Sequence, residues 1–154
     1  MRVRRAGFGF QAVATLALVA LGWTYLGSSE FMPYHAAAAG TEWENLSPGM
    51  QILALTALRL IGAGSLALGL ALGVILWGPY RRGERWALWT VSILGSSYGL
   101  ALSISAFSVA STTPGNPPWR AAVVLPLLFL MGGILSLVPV PEERDAELRN
   151  GGKP

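Results

Sequence analysis

His35 is the single histidine of the chain, and it lies in the stretch SEFMPYHAAAAGTEWENLSP (29–48) beside Glu30, Glu42 and Glu44. A histidine among carboxylates can serve general acid/base chemistry or hold a divalent metal. Further on stands Arg59, about 11 positions past Pro48, roughly 16 Å along a helix that rises 1.5 Å per residue. A guanidinium there can neutralise an anionic head group or polarise a carbonyl. Arg59, Glu30, His35 and Tyr34 therefore form the candidate ligand-binding set. The carboxylates stand at irregular spacings from one histidine, and Arg59 would repel a cation, so no metal site is expected. No catalytic set and no cofactor motif is read from the chain.

The elements that must position these residues are apolar. The chain has 154 residues, is 53% hydrophobic and only 12% charged, too few charges to solvate a globular surface. Stretches of about 20 apolar residues span a bilayer as helices, and four qualify: about 8–28, 49–77, 86–110 and 119–138. SPG at 47–49, GPYRRGER at 78–85 and TTPGNPP at 112–118 break the chain between them. The expectation is an all-α, integral membrane four-helix bundle forming a single domain over 1–154, with a tail at 139–154. The opening MRVRR and its apolar run could also be a signal peptide with a weak cleavage position near Gly27 and Ser29, but the run exceeds a usual signal core.

Arg2, Arg4, Arg5, Arg81, Arg82, Arg85, Arg144, Arg149 and Lys153 fall in the first, third and fifth polar segments, and Arg120 alone in the second and fourth. The positive-inside rule then puts both termini (N-in/C-in), the tail and the RRGER loop in the cytoplasm, with the His35 stretch outside. The six tryptophans, at 23, 43, 77, 86, 89 and 119, lie near the boundaries, as interfacial belts require. The net charge of +3 is explained by these flanks, so nucleic acid is not a partner. The sequon Asn45-Leu46-Ser47 is followed by Pro48 close to the membrane and is read as incidental.

Within the outer stretch, Pro33 suits a first helical turn, the alanines favour helix, and Gly40 is a stop. A short interfacial helix is expected, folding down as a lid, with Glu30 pairing to Arg59. Ser47 and Pro48 form an N-cap and first-turn pair for the second span. Small residues mark helix contacts in membranes. Gly62, Gly69 and Gly73 with Ser65 form one ridge, Gly95 and Gly99 with Ser103 another, and the short loop between the second and third spans predicts that these ridges mate. Pro126 is expected to kink the fourth span.

At FMPYHAAAAG and LTALRLIGAGSLALGLAL the chain resembles small bacterial four-helix membrane proteins of the DoxX-like kind, mainly over 26–75. Arg59, Gly62 and Gly69 match the helix pattern. The resemblance implies the four-helix fold and assigns no activity.

The absence of cysteine excludes the four-helix thiol oxidoreductases that reduce quinones. Small multidrug transporters need an embedded carboxylate in the first span, where this chain offers Gln11, Thr15 and Thr24. The remaining readings are a non-catalytic accessory subunit of a larger membrane complex, motivated by short loops and small-residue faces, and a binding protein or enzyme for a lipid-like or quinone-like molecule at the Arg59 mouth.

Overall fold

A computed structural model describes residues 2–137, with side chains from Arg5 onward, and the tail expected over 139–154 lies outside them. The described residues form helices joined by loops, with no strand among them: α1 (Arg2–Leu26), α2 (Pro33–Ala39), a 3₁₀ turn at Trp43–Asn45, α3 (Pro48–Ile75), α4 (Arg85–Thr112) and α5 (Trp119–Leu137). Four of these helices are long and apolar enough to cross a membrane. Large side chains such as Leu16, Leu60, Val74, Ile104 and Ile134 stand on the outside of the bundle. Lipid is the solvent that such a surface fits, and the chain is an integral membrane protein.

Helix α3 begins as its sequence dictates. Ser47 Oγ accepts from the Met50 N–H at 3.4 Å and Pro48 occupies the first turn. Its other end runs past the expected boundary at 77, because a π-helical turn at Leu76–Tyr80 carries the chain through Pro79. Proline has no N–H to donate, and the wider turn accommodates that loss without breaking the helix. Gly83, in the left-handed region at φ 81°, then reverses the chain into α4. Arg81 lies over the rings of Phe8 and Trp77, and Arg82 pairs with Glu84 at 2.8 Å. This is the arginine-rich end of the bundle, and α2 lies at the other, the lid end.

The helices form an open ring in the order α3, α1, α5, α4. Consecutive neighbours in that order pack extensively, whereas α3 and α4 touch little. The glycine ridges of α3 and α4 therefore do not mate with each other. Gly62 meets Gly22 of α1: a methyl on either glycine would come within 2.9 Å of the other's carbonyl oxygen. Gly69 abuts Val19, Gly95 faces the Phe129 ring, and Gly99 faces Pro126. Gly73 has only an ordinary contact at 3.9 Å, with the Thr15 methyl. A short loop makes two helices antiparallel without making them touch. Backbone approach at Gly22–Gly62 and the fit of Phe129 over Gly95 draw α3 and α4 to other partners. Pro126 lies buried inside α5.

The core is lopsided. Leu18, Leu72, Leu76, Tyr80, Ala87, Leu88, Val91 and Phe129 form one buried cluster toward the arginine-rich end. Beside it a polar node ties three helices: Gln11 Nε2 donates to Ser92 Oγ at 2.9 Å and to the Phe129 carbonyl at 3.0 Å. Gln11 Oε1 and Thr15 Oγ1, one turn apart on α1, are buried without a hydrogen-bond partner. Among the described residues the lid half contains no comparable core.

Candidate functional site

In place of a core, the lid half holds a cavity of about 440 Å³. Two stripes at helical spacing line it, Ala17, Leu21 and Tyr25 from α1 and Leu102, Ser105, Ala106 and Val109 from α4, with the adjacent Ala121 and Ala122 from α5. Alanines at these positions leave the volume that Leu and Phe fill in the other half. Pro117 and Pro118 close one rim, Tyr34 and His35 of α2 form the roof, and Ile61 of α3 stands at the edge. Ile61 is 40% exposed, as expected beside the loose α3–α4 seam. Tyr98 crosses that seam from α4, its hydroxyl 2.8 Å from Ser65 Oγ and donating to the Ile61 carbonyl at 3.3 Å.

The roof is built locally. Met32 precedes α2 in extended conformation, Pro33 sets the first turn, and Gly40 at φ 67° ends the helix in the left-handed region that favours glycine. His35, at the third helical position, folds back so that its Nδ1 accepts the Met32 N–H at 3.1 Å. This is the geometry of a capping box with imidazole as the acceptor. Burial pushes the His35 pKa down, which keeps that acceptor available. The Tyr34 ring packs on His35 with centroids 4.2 Å apart, and Phe31 meets Trp43 edge-on at 5.0 Å. Gln51 Nε2 holds the Trp43 carbonyl at 2.9 Å.

Two contacts fasten the roof to the bundle. The Tyr34 hydroxyl lies 2.9 Å from that of Tyr25 on α1. On the opposite side α2 rests on Gly115 of the α4–α5 loop, where a methyl would come within 2.6 Å of the Tyr34 carbonyl oxygen. Burial, and then the neighbouring Tyr25 hydroxyl, raise the Tyr34 pKa, so the phenol stays protonated.

The expected pairing of Glu30 with Arg59 does not form. Both side chains are exposed, and the ion pair among the described residues is Arg82–Glu84. The reason is the helical turn of about 100° per residue. Leu58 and Gly62 face α1, which places Arg59 on the outer flank of α3, away from Ile61 and the cavity. Neither Arg59, Glu30, Glu42 nor Glu44 lines the cavity. Of the four candidate ligand-binding residues, the structure brings His35 and Tyr34 to one site and leaves Arg59 and Glu30 outside it.

Tyr25 is the site residue that the sequence reading missed. Its signal was its place one helical turn beyond Leu21 on the face bearing Ala17, at the end of a span where a polar aromatic is ordinarily read as an interfacial anchor. Ser105 lines the cavity too, but its hydroxyl donates to the Ala101 carbonyl in its own helix at 2.9 Å.

The site is thus an apolar chamber with a polar roof of one imidazole and two phenols, and among the described residues no charged side chain lines it. Comparison with protein-family models, with curated proteins and with solved structures gives no match.

Proposed function

We propose that this membrane protein binds a lipid-like or quinone-like molecule in the cavity beneath α2. The observation that carries the reading is the cavity itself, an alanine-lined volume whose imidazole and two phenols lie together at one end. Ligand pockets combine apolar walls with a few convergent polar groups, and an amphiphile matches this arrangement in polarity. The seam between α3 and α4 gives its chain a route from the bilayer. The ligand mouth moves accordingly from Arg59 to Tyr34 and His35.

The distribution of arginines supports placing the arginine-rich end in the cytoplasm of a bacterial inner membrane, with α2 at the outer surface. The DoxX-like resemblance belongs to this reading for its four-helix fold alone. A chain without cysteine makes the orientation simple to measure. In right-side-out vesicles, Thr41→Cys should react with an impermeant maleimide and Arg82→Cys should not.

A second reading, an accessory subunit of a larger membrane complex, rests on one observation. Arg59 is exposed within a span and has no partner among the described residues, whereas charges within spans ordinarily find one. The glycine faces that first suggested partner docking are used inside the bundle. Native mass spectrometry from lipid nanodiscs separates the two readings. A co-purifying small molecule lost on Ala106→Trp, which fills the cavity, supports the first; a stoichiometric protein lost on Arg59→Leu supports the second.

A further inference from the structure

We infer that the head group received by the roof is a neutral hydrogen-bond acceptor of the carbonyl class, a ketone, quinone or ester, and is neither an anion nor a cation. The inference rests on the reading of the cavity as an amphiphile site and adds the chemistry of its polar end.

The argument counts protons and lone pairs. His35 Nδ1 already accepts from the Met32 N–H, so the proton of the neutral imidazole is on Nε2, which has no partner among the described residues. Tyr25 and Tyr34 share one hydrogen bond. One hydroxyl donates to the other, which leaves one phenolic proton of the pair unspent. Among the residues that line the cavity two donors are thus unspent, one on the imidazole and one on a phenol. Ser105 has spent its proton within α4. Pro117 and Pro118 carry no N–H, and their carbonyls accept from Trp119 and Ala122. The rim adds no further donor.

Charge balance narrows the class. Among the described residues no lysine, arginine, aspartate or glutamate lines the cavity, so an ionised head group would be desolvated without a counter-charge, which is strongly unfavourable. A carbonyl oxygen has two lone pairs and can accept from both donors at once. The downward shift of the His35 pKa agrees with a neutral roof but is not needed for the count.

The test uses the full chain in nanodiscs and probes of equal chain length: a long-chain methyl ketone, the alkane and the carboxylate. Retention is measured by equilibrium dialysis at neutral pH. The ketone should bind more tightly than the alkane by roughly fivefold for each hydrogen bond gained, and the carboxylate should bind no better than the alkane. His35→Glu keeps an acceptor for the Met32 N–H, as capping boxes ordinarily do with glutamate, but removes the imidazole donor, so the preference for ketone should fall about fivefold, to the share of the remaining phenol. His35→Gln keeps both functions and should restore it. Equal retention of ketone and alkane, both displaced by Ala106→Trp, would overturn the head-group inference and leave the cavity reading standing. Tighter binding of the carboxylate, or of a matched trimethylammonium amphiphile, would overturn it as well. No binding that responds to Ala106→Trp would sink the cavity reading itself.

Discussion

The hydroxyls of Tyr25 and Tyr34 stand 2.9 Å apart, and through them the last turn of α1 holds the helix that roofs the cavity. The bond joins two neutral groups at a half-buried site, so its net worth is about 1 kcal/mol. Tyr25→Phe and Tyr34→Phe should each raise the open fraction of the lid about fivefold. The measurement is the maleimide labelling rate of Leu102→Cys, deep in the cavity, in either background. The double variant should exceed neither single variant, because both remove the same bond.

Closure should also depend on pH. Burial holds His35 below its ordinary value of 6.5, so the open lid takes up a proton more readily than the closed one. As pH falls through the ordinary value the open form gains population, since protonated Nδ1 can no longer accept the Met32 N–H; well above it, pH should have no effect. A spin label at Thr41→Cys, read between acid and neutral pH, should gain mobility on acidification. The His35→Gln background should be flat, and mobility that rises with pH would contradict this account.

Gly22 and Gly62 should tolerate nothing larger. Each meets the other's backbone, which cannot move aside as a side chain could. Gly22→Leu or Gly62→Leu should cost at least 1–3 kcal/mol, in the range of about the usual overpacking penalty. Gly73→Ala should be neutral or mildly stabilising, because the nearest atom to the new methyl is 3.9 Å away and alanine is the better helix former. Unfolding in mixed micelles measures all three.

Arg59 and Glu30 should be separable from the cavity. Arg59→Leu and Glu30→Gln should leave thermal stability within about 0.5 kcal/mol, as exposed substitutions usually do, and leave ketone retention unchanged. A drop in retention for either variant would mean that the outer flank of α3 communicates with the roof.

The four spans were legible because a membrane helix declares itself through uninterrupted hydropathy, and the start of α3 because Ser47 and Pro48 have one common use. The extent of α2 was equally readable from Pro33 and Gly40. The pairing of helices was not. Gly62, Gly69, Gly95 and Gly99 state that something approaches closely, and only three-dimensional fit decides what. That Arg59 stands away from the cavity was unreadable for a related reason. Its depth along the helix followed from counting, but the face it occupies depends on where α1 packs, and that was set by Gly22. A cavity made of alanines is harder still to read, since Ala17, Ala106, Ala121 and Ala122 look like ordinary span residues until the large side chains are seen to cluster elsewhere.

The ring order has a consequence for biosynthesis. Sequence neighbours pair as α1 with α3 and α4 with α5, and the closing contact joins the first span to the last. A chain inserted from its N-terminus can complete one hairpin before the second leaves the ribosome. Until then Gln11 has neither Ser92 nor the Phe129 carbonyl to bond, and its amide lies unpaired in hydrocarbon. Arrival of the second hairpin gives Nε2 both of its partners, whereas a chain stopped before α4 would keep that donor unpaired in hydrocarbon.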